Sequence, residues 1–302
     1  MVARAFLVAL VLELVAYVAL ARHALLAGWS PWTLVAFVLA MHFGLRALAV
    51  CVGYAIALVA GQRDAHVRLT LADRARLVVR EVLAMWRNYA LVPFEPWLPP
   101  EPDLGGTGRQ APRVVLVHGI LCNRASWWWF RRALARRGHP AIAVTLEPAL
   151  GSLDAMADAL ARTLRGARAP LYLVAHSMGG LVSRRLLQRH PDLPVAGLVT
   201  LGTPHAGSLQ ARLAFGDAAR ALRRGSLWLN ELDGGGVPRG VHCAAIWSWH
   251  DELVSPAGSC RWACADNLAF TGVGHVDLLW SPRIVEEVAR RLDRWIAAEA
   301  PA

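Results

Sequence analysis

Ser177 stands where a hydroxyl can act as a nucleophile. The hexapeptide Ala175-His176-Ser177-Met178-Gly179-Gly180 follows an apolar run, Leu171-Tyr172-Leu173-Val174, and opens a helical pattern near Leu181. A strand that turns sharply into a helix lifts the residue at the turn above the end of a sheet, within reach of a substrate. Such a turn is tight, so bulky side chains at positions 175 and 179 would strike neighbouring backbone. Ala175 replaces the first glycine of the G-x-S-x-G pattern and adds one methyl group.

A serine nucleophile needs a base to take its proton and an acid to orient that base. In this arrangement the acid follows a later strand and the base follows the acid. The segment Trp247-Ser248-Trp249-His250-Asp251-Glu252 offers Asp251 as the acid, with Glu252 the nearest alternative and Asp233 a distant one. His275, in Gly272-Val273-Gly274-His275-Val276-Asp277, is the expected base. Its rival His250 adjoins the acid and would leave His275 without a role. Negative charge developing on a carbonyl oxygen calls for two backbone N–H donors. Met178, after the nucleophile, and Ile120, in His118-Gly119-Ile120-Leu121-Cys122-Asn123, are the expected pair. His118, just before a glycine in this early loop, reads as architectural, and His176, His190, His205 and His242 as structural or solvent-facing.

These groups need a frame. Runs at 114–117, 141–145, 171–174, 195–201, 241–247 and 267–270 read as strands. Patterns at 127–137, 152–165, 181–189 and 283–297 read as helices. Apolar strands alternating with helices imply a mainly parallel sheet covered on both faces, with its site at the carboxyl ends of the strands.

His118-Gly119-Ile120, Ala175 to Gly180, Gly202-Thr203-Pro204-His205-Ala206-Gly207, Asp251-x-x-Val254-x-Pro256 and Gly274-His275 occur in that order over residues 113 to about 298. Together they resemble the bacterial triacylglycerol lipases and esterases of the α/β-hydrolase superfamily. The resemblance implies an α/β-hydrolase fold and ester hydrolysis through an acyl-enzyme. It also implies Ser177, Asp251 and His275 as triad, Ile120 and Met178 as oxyanion donors, and no cofactor or metal.

The N-terminus departs from that pattern. Residues 1–62 carry only Arg4, Arg22, Arg46 and Glu13 as charges, in two apolar segments of about 23 and 29 residues, 5–27 and 32–60. Each meets the roughly 20 residues a spanning helix needs. Gly28-Trp29-Ser30-Pro31 reads as the turn of a transmembrane hairpin, with Trp29 and Trp32 suited to an interface. Glu13 and Arg46 fall at similar depth and are expected to pair, with His42 one helical turn before Arg46. Ala19-Leu20-Ala21 has the small residues of a signal-peptide cleavage site, but Glu13 within the core and the second apolar segment oppose cleavage. The arginines at 4, 63, 68, 74 and 76 flank the hairpin and favour both ends in the cytoplasm, the hairpin lying in a bacterial inner membrane. Cys122, Cys243, Cys260 and Cys264 keep a periplasmic, disulfide-bonded alternative open, with reduced thiols the simpler reading.

Residues 63–110 read as an amphipathic helix near 69–89 followed by a linker with five prolines and Gly105-Gly106-Thr107-Gly108. The helix either lies on a membrane surface or packs on the catalytic part, residues 111–302. The insert 206–240 is placed to cover the site or to act as ordinary packing. Trp127-Trp128-Trp129-Phe130 either lines an acyl pocket or packs a helix on the sheet.

The net charge of +10 comes from arginine alone, since the chain has no lysine. The arginines alternate with acids and no recognition motif appears, which excludes nucleic acid as the expected partner. The sequence therefore predicts a membrane-anchored serine ester hydrolase acting on lipid or apolar esters. An acyltransferase on the same triad and a non-enzymatic binding protein on a hydrolase fold are the alternatives.

Overall fold

A computed structural model of the chain describes residues 1–59, 68–102, 104, 113–149, 151–167, 170–237 and 239–299. Arg63, the Gly105–Gly108 run and the expected boundary near residue 110 lie outside them.

Six strands form one sheet: β1 (Val114–Val117), β2 (Ala141–Val144), β3 (Leu171–His176), β4 (Val195–Leu201), β5 (His242–Ser248) and β6 (Asp266–Phe270). Their order is β2-β1-β3-β4-β5-β6, and every pairing is parallel. β1 and β3 are buried throughout, and β4 at all but the half-buried Ala196, because helices cover both faces, and their sequences are correspondingly rich in apolar residues. On one face lie α5 (Leu153–Leu164) and α6 (Met178–Arg189), packed through Met156, Leu160, Leu164, Leu181, Val182 and Leu186. On the other lie α4 (Trp128–Ala135) and α9 (Pro282–Glu299), around Trp127, Phe130, Leu134, Val285, Val288 and Leu292. Trp127 and Phe130 pack edge to face in that layer, and Trp129 stacks on Trp280. Trp127, Trp129 and Phe130 thus pack the sheet, while Trp128 is exposed.

The strand order changes direction at β1, which sits between β2 and β3. A crevice opens at such a point beyond the carboxyl ends of the strands. The loop after β1 and the turn after β3 meet there.

The insert contributes α7 (Asp217–Ala221) and α8 (Leu227–Gly234). Ala218, Leu222, Leu229 and Leu232 are buried against the α5–α6 layer, while Leu213 and Phe215 face outward.

Before the sheet come α1 (Val2–Leu26) and α2 (Pro31–Val59), both long and apolar enough to cross a membrane. Their apolar side chains are largely exposed, Leu14, Val18, Leu45 and Leu48 among them. Glu13 and Arg46 do pair, at 3.2 Å, and Glu13 also accepts from Tyr17 at 2.6 Å and from His42 at 2.9 Å. The hairpin is not a loose tail. Phe6 stacks on Tyr89, Phe43 packs near Trp86, and Gly53 lies against Glu252.

The amphipathic segment forms α3 (Leu71–Leu91), capped by Thr70, whose hydroxyl accepts the Asp73 N–H. Leu77, Glu81, Val82, Ala84 and Asn88 are buried, so one face packs on the catalytic part. Pro93 and Pro96 sit in a short 3-10 turn, Val92–Trp97, which Asn123 holds by donating to the Val92 carbonyl. All five cysteines are free thiols, with Cys122 and Cys260 buried.

Leu198 is fully buried at the middle of β4. Leu198→Ala is expected to destabilise the protein by about 2–5 kcal/mol, read as a shifted chemical-denaturation midpoint.

Candidate active site

Ser177 lies between β3 and α6 with φ 54° and ψ −127°, a left-handed conformation that a side chain rarely adopts. Its N–H donates to the Leu201 carbonyl at 2.8 Å, which ties the turn to β4. The surrounding glycines show why the turn can be so tight. A Cβ on Gly179 would lie 2.4 Å from the His118 carbonyl oxygen, and one on Gly180 would lie 2.1 Å from Thr203 Oγ1. A Cβ on Gly119 would meet the Ser177 Cβ at 2.9 Å, so the loop after β1 reaches the serine only because residue 119 is glycine. Ala175 is fully buried within β3.

Two residues after Gly119, Leu121 also has φ 54°, so the only two non-glycine positive-φ residues among those described both sit at this crevice. Backbone strain of this kind concentrates at functional sites. Met178 begins α6, where the N–H groups of the first turn lack helical acceptors and the helix dipole favours negative charge. Ile120 lines the same cavity as Ser177.

Asp251 follows β5 and is 0% exposed. Its Oδ1 accepts the N–H groups of Leu253 at 2.9 Å and Val254 at 2.8 Å. Its Oδ2 lies 2.7 Å from His275 Nδ1. A carboxylate can only accept, so Nδ1 carries the proton and Nε2 is left with its lone pair. Burial alone would lower the His275 pKa, but the charge and hydrogen bond of Asp251, with the Glu252 charge beyond, raise it above the usual imidazole value. Glu252, the alternative acid, turns instead to the His275 backbone, accepting its N–H at 3.1 Å. Asp233 lies elsewhere, paired with Arg184 at 2.7 Å.

The remaining histidines have other work. His118 donates from Nδ1 to the Gly119 carbonyl at 2.7 Å and accepts the Leu146 N–H at Nε2 at 2.9 Å. Burial pushes its pKa down to about 4, so it stays neutral and braces the loop. His176 packs under the His275 ring at 4.6 Å and donates to the His275 carbonyl at 3.1 Å. His250 accepts the Gly272 N–H at 3.1 Å, joining the acid loop to the base loop. His205 stacks on Trp262, and His190 meets Asp158 at 2.8 Å. His242 stacks on Trp295 at an exposed position.

Several contributors were not singled out from the sequence. Gly202, φ 56°, lies beneath the acid–base pair, where a Cβ would come within 3.2 Å of Asp251 Oδ2 and 3.3 Å of His275 Nδ1. Its place in the Gly202-Thr203-Pro204 motif was the available signal. Gln210, from the insert, donates to the Glu252 carbonyl at 2.7 Å and to Ser255 Oγ at 2.9 Å. Asn88 and Tyr89 of α3 line the cavity.

That cavity has a volume of about 240 Å³ and holds Ser177, His275 and Ile120 in its wall. Most of the rest is apolar, including Leu121, Ala211, Leu222, Val254 and Leu279. Among the described residues no cluster of His, Cys, Asp or Glu has the makings of a metal site.

The profile of the alpha/beta hydrolase family matches residues 114–301. No protein with a curated description matches the chain in sequence. Among solved structures, the mature lipase BlEst2 of Bacillus licheniformis superposes with a TM-score of 0.52 at 19% identity, over 60% of this chain and 91% of that one. Lipase B of Aspergillus fumigatus gives 0.55 at 16% identity, over 64% of this chain and 56% of that one. A metagenomic carboxyl esterase gives 0.52 at 16% identity, over 65% and 78%. At such identities these likenesses concern the fold.

If His275 is the base, kcat/KM rises with pH through a limb above the usual imidazole value, since only neutral His275 can accept a proton. Asp251→Asn removes the charge that raises it, so the limb moves to lower pH and kcat falls by about four orders of magnitude. Gly180→Val, which drives a side chain into Thr203, is expected to abolish activity while Gly166→Ala, where a Cβ meets open space, leaves it intact.

Proposed function

The chain belongs to the alpha/beta hydrolase family, and from that premise we propose that it is a membrane-anchored serine hydrolase cleaving lipid or other apolar carboxylic esters. The observation that carries this reading is the convergence on one apolar cavity of a strained serine and a histidine whose Nδ1 is held by a buried aspartate.

Ser177 Oγ attacks the acyl carbon as His275 Nε2 takes its proton. The N–H groups of Met178 and Ile120 stabilise the oxyanion. His275 then returns the proton to the departing alcohol, leaving an acyl group on Ser177. Water, deprotonated by the same histidine, releases the acid and restores the serine. The buried Asp251 keeps Nε2 pointed at the reaction and stabilises the imidazolium between the two transfers.

The apolar lining favours an acyl chain over a polar substituent. Anchoring is supported by the length and exposed apolar surface of α1 and α2, and by Glu13 being paired with Arg46. Arg4, Arg68, Arg74 and Arg76 at the hairpin's ends favour a cytoplasmic catalytic part. The helical hairpin, the α3 connection and the hydrolase domain are the three parts of this reading.

Detergent-solubilised protein is expected to be labelled by a fluorophosphonate, and Ser177→Ala to remove the label. Ester hydrolysis should fall by about six orders of magnitude in that variant. A folded parent that neither labels nor hydrolyses a panel of apolar esters would contradict the proposal.

A further inference from the structure

Glu81 is the least expected buried group in the molecule. It lies on α3, outside the sheet, and is 0% exposed. Its Oε1 accepts the Val276 N–H at 2.8 Å, and its Oε2 accepts the Asp277 N–H at 2.9 Å. Glu252 Oε2 accepts the next N–H in line, that of His275, at 3.1 Å. Three consecutive amides of the base loop are thus satisfied by two carboxyl groups from two other elements. Successive N–H groups in a turn form a concavity suited to anionic oxygen.

The loop is shaped for this visitor. A Cβ on Gly274 would lie 2.1 Å from Glu81 Oε2 and 2.6 Å from its Cδ, so a glycine is required for the carboxyl to enter. Next to it, Arg80 of the same helix pairs with Asp277 at 3.0 Å. On the far side Gly53 of α2 lies close to Glu252, where a Cβ would meet Cγ at 3.1 Å.

We propose that Glu81 is a positioning residue for the proposed base: with Glu252 it clamps the backbone of residues 275–277, and so fixes where the His275 ring stands relative to Asp251 and Ser177. The proposal rests on His275 being the base. It gives Glu81 a part in catalysis without contact to substrate. The two carboxyls are side by side; burial and the Glu252 charge push the Glu81 pKa well above the carboxylate range, while burial and the Asp251 charge raise that of Glu252, which its hydrogen bond with Glu81 lowers. One proton held between them removes most of the repulsion and leaves oxygen lone pairs for the three amides. Burying two adjacent carboxyl groups for packing alone would be costly, since the same volume filled by apolar side chains needs no such arrangement.

Glu81→Gln tests this. Glutamine keeps the volume but presents an NH₂ group to one of the two amides. The expected result is a folded protein whose kcat falls about 100-fold, the loss a misplacement of about 1 Å produces, with KM within about twofold of the parent. Fluorophosphonate labelling should slow in step, and hydrogen exchange at the amides of 276 and 277, slow in the parent, should accelerate. Gly274→Ala, which displaces the carboxyl but leaves it in the chain, should do the same. In a Glu81→Ala background that substitution should cost no further activity. Parental kcat in folded Glu81→Gln would overturn the proposal, as would a loss carried by KM, or fast exchange at 276 and 277 in the parent. If Glu81→Gln does not fold, Gly274→Ala decides on the same readouts. Absence of labelling in the parent would overturn the choice of base, whereas the exchange data judge the clamp by themselves.

Discussion

A carboxylate with no exposed surface is the constraint around which this molecule is organised. Asp251 has lost its water, and a buried charge survives only where other groups replace that water. Two backbone N–H groups do so at Oδ1, and the His275 ring does so at Oδ2. Both sides of this bond need the other. The aspartate needs a donor, and the imidazole needs an anion to offset the burial that would otherwise depress its pKa. The acid loop is therefore secured from several directions. Ser208 donates to the Leu253 carbonyl at 2.8 Å, Gln210 reaches the Glu252 carbonyl, and His250 accepts from the base loop.

Close backbone approach is the second requirement, and it explains where the glycines fall. Gly119, Gly179, Gly180, Gly202 and Gly274 each occupy a point where a methyl group would enter a neighbour at the site. Removing five side chains lets three loops and a helix terminus converge on one small cavity. The strain at Ser177 and Leu121 is supported by what surrounds it. β3 is paired with β1 on one side and β4 on the other almost up to the turn, and the Ser177 N–H is bonded across to β4. A rigid parallel sheet of this kind over-determines the backbone at its strand ends, which is how an unfavourable φ can persist.

Much of this was legible in the sequence because it depends on local pattern. The six strands fall within a residue or two of their apolar runs, β4 at Val195–Leu201 without any shift. The serine turn was legible from small residues at fixed offsets, and the spatial meeting of Glu13 with Arg46 from two charges at matching depth. What depends on packing between distant segments was not. In α3 the apolar spacing points to Leu71, Ala75, Val78, Val79, Val82, Met85, Trp86 and Tyr89, of which Val82 is buried, Val78, Met85 and Tyr89 are half-buried, and Leu71, Ala75, Val79 and Trp86 are exposed. The buried face instead runs through Leu77, Glu81, Ala84 and Asn88, two of them polar, because the surface it meets is a row of backbone amides and a thiol. Hydrophobic periodicity assumes an apolar partner and loses such a face. The sequence puts Asp251 before Glu252 as partner of the imidazole, and the structure places Asp251 there, although adjacent residues in a loop differ only in the direction their side chains take.

The position of α3 joins the two halves of the chain. It follows α2 in sequence, packs against the hairpin through Trp86 and Tyr89, and reaches into the base loop with Glu81. Both ends of the hairpin lie on the catalytic part: Val2 and Phe6 pack with Val92 and Ala149, and Gly53 touches Glu252. If α1 and α2 cross a bilayer, the catalytic part is held at its surface by contacts on both helices, not by a flexible tether. Leu121 and Leu253, which line the cavity and are partly exposed, together with the outward Leu213 and Phe215 beside the lining residue Ala214, would then offer an apolar margin for a substrate whose acyl chains begin in the membrane. The cost of transferring such a chain through water, about 0.8 kcal/mol for each methylene, is avoided when the cavity and the bilayer share one apolar path. Under that reading a hydrolase site built onto a hairpin has a physical reason, and α3 is an element that contacts both.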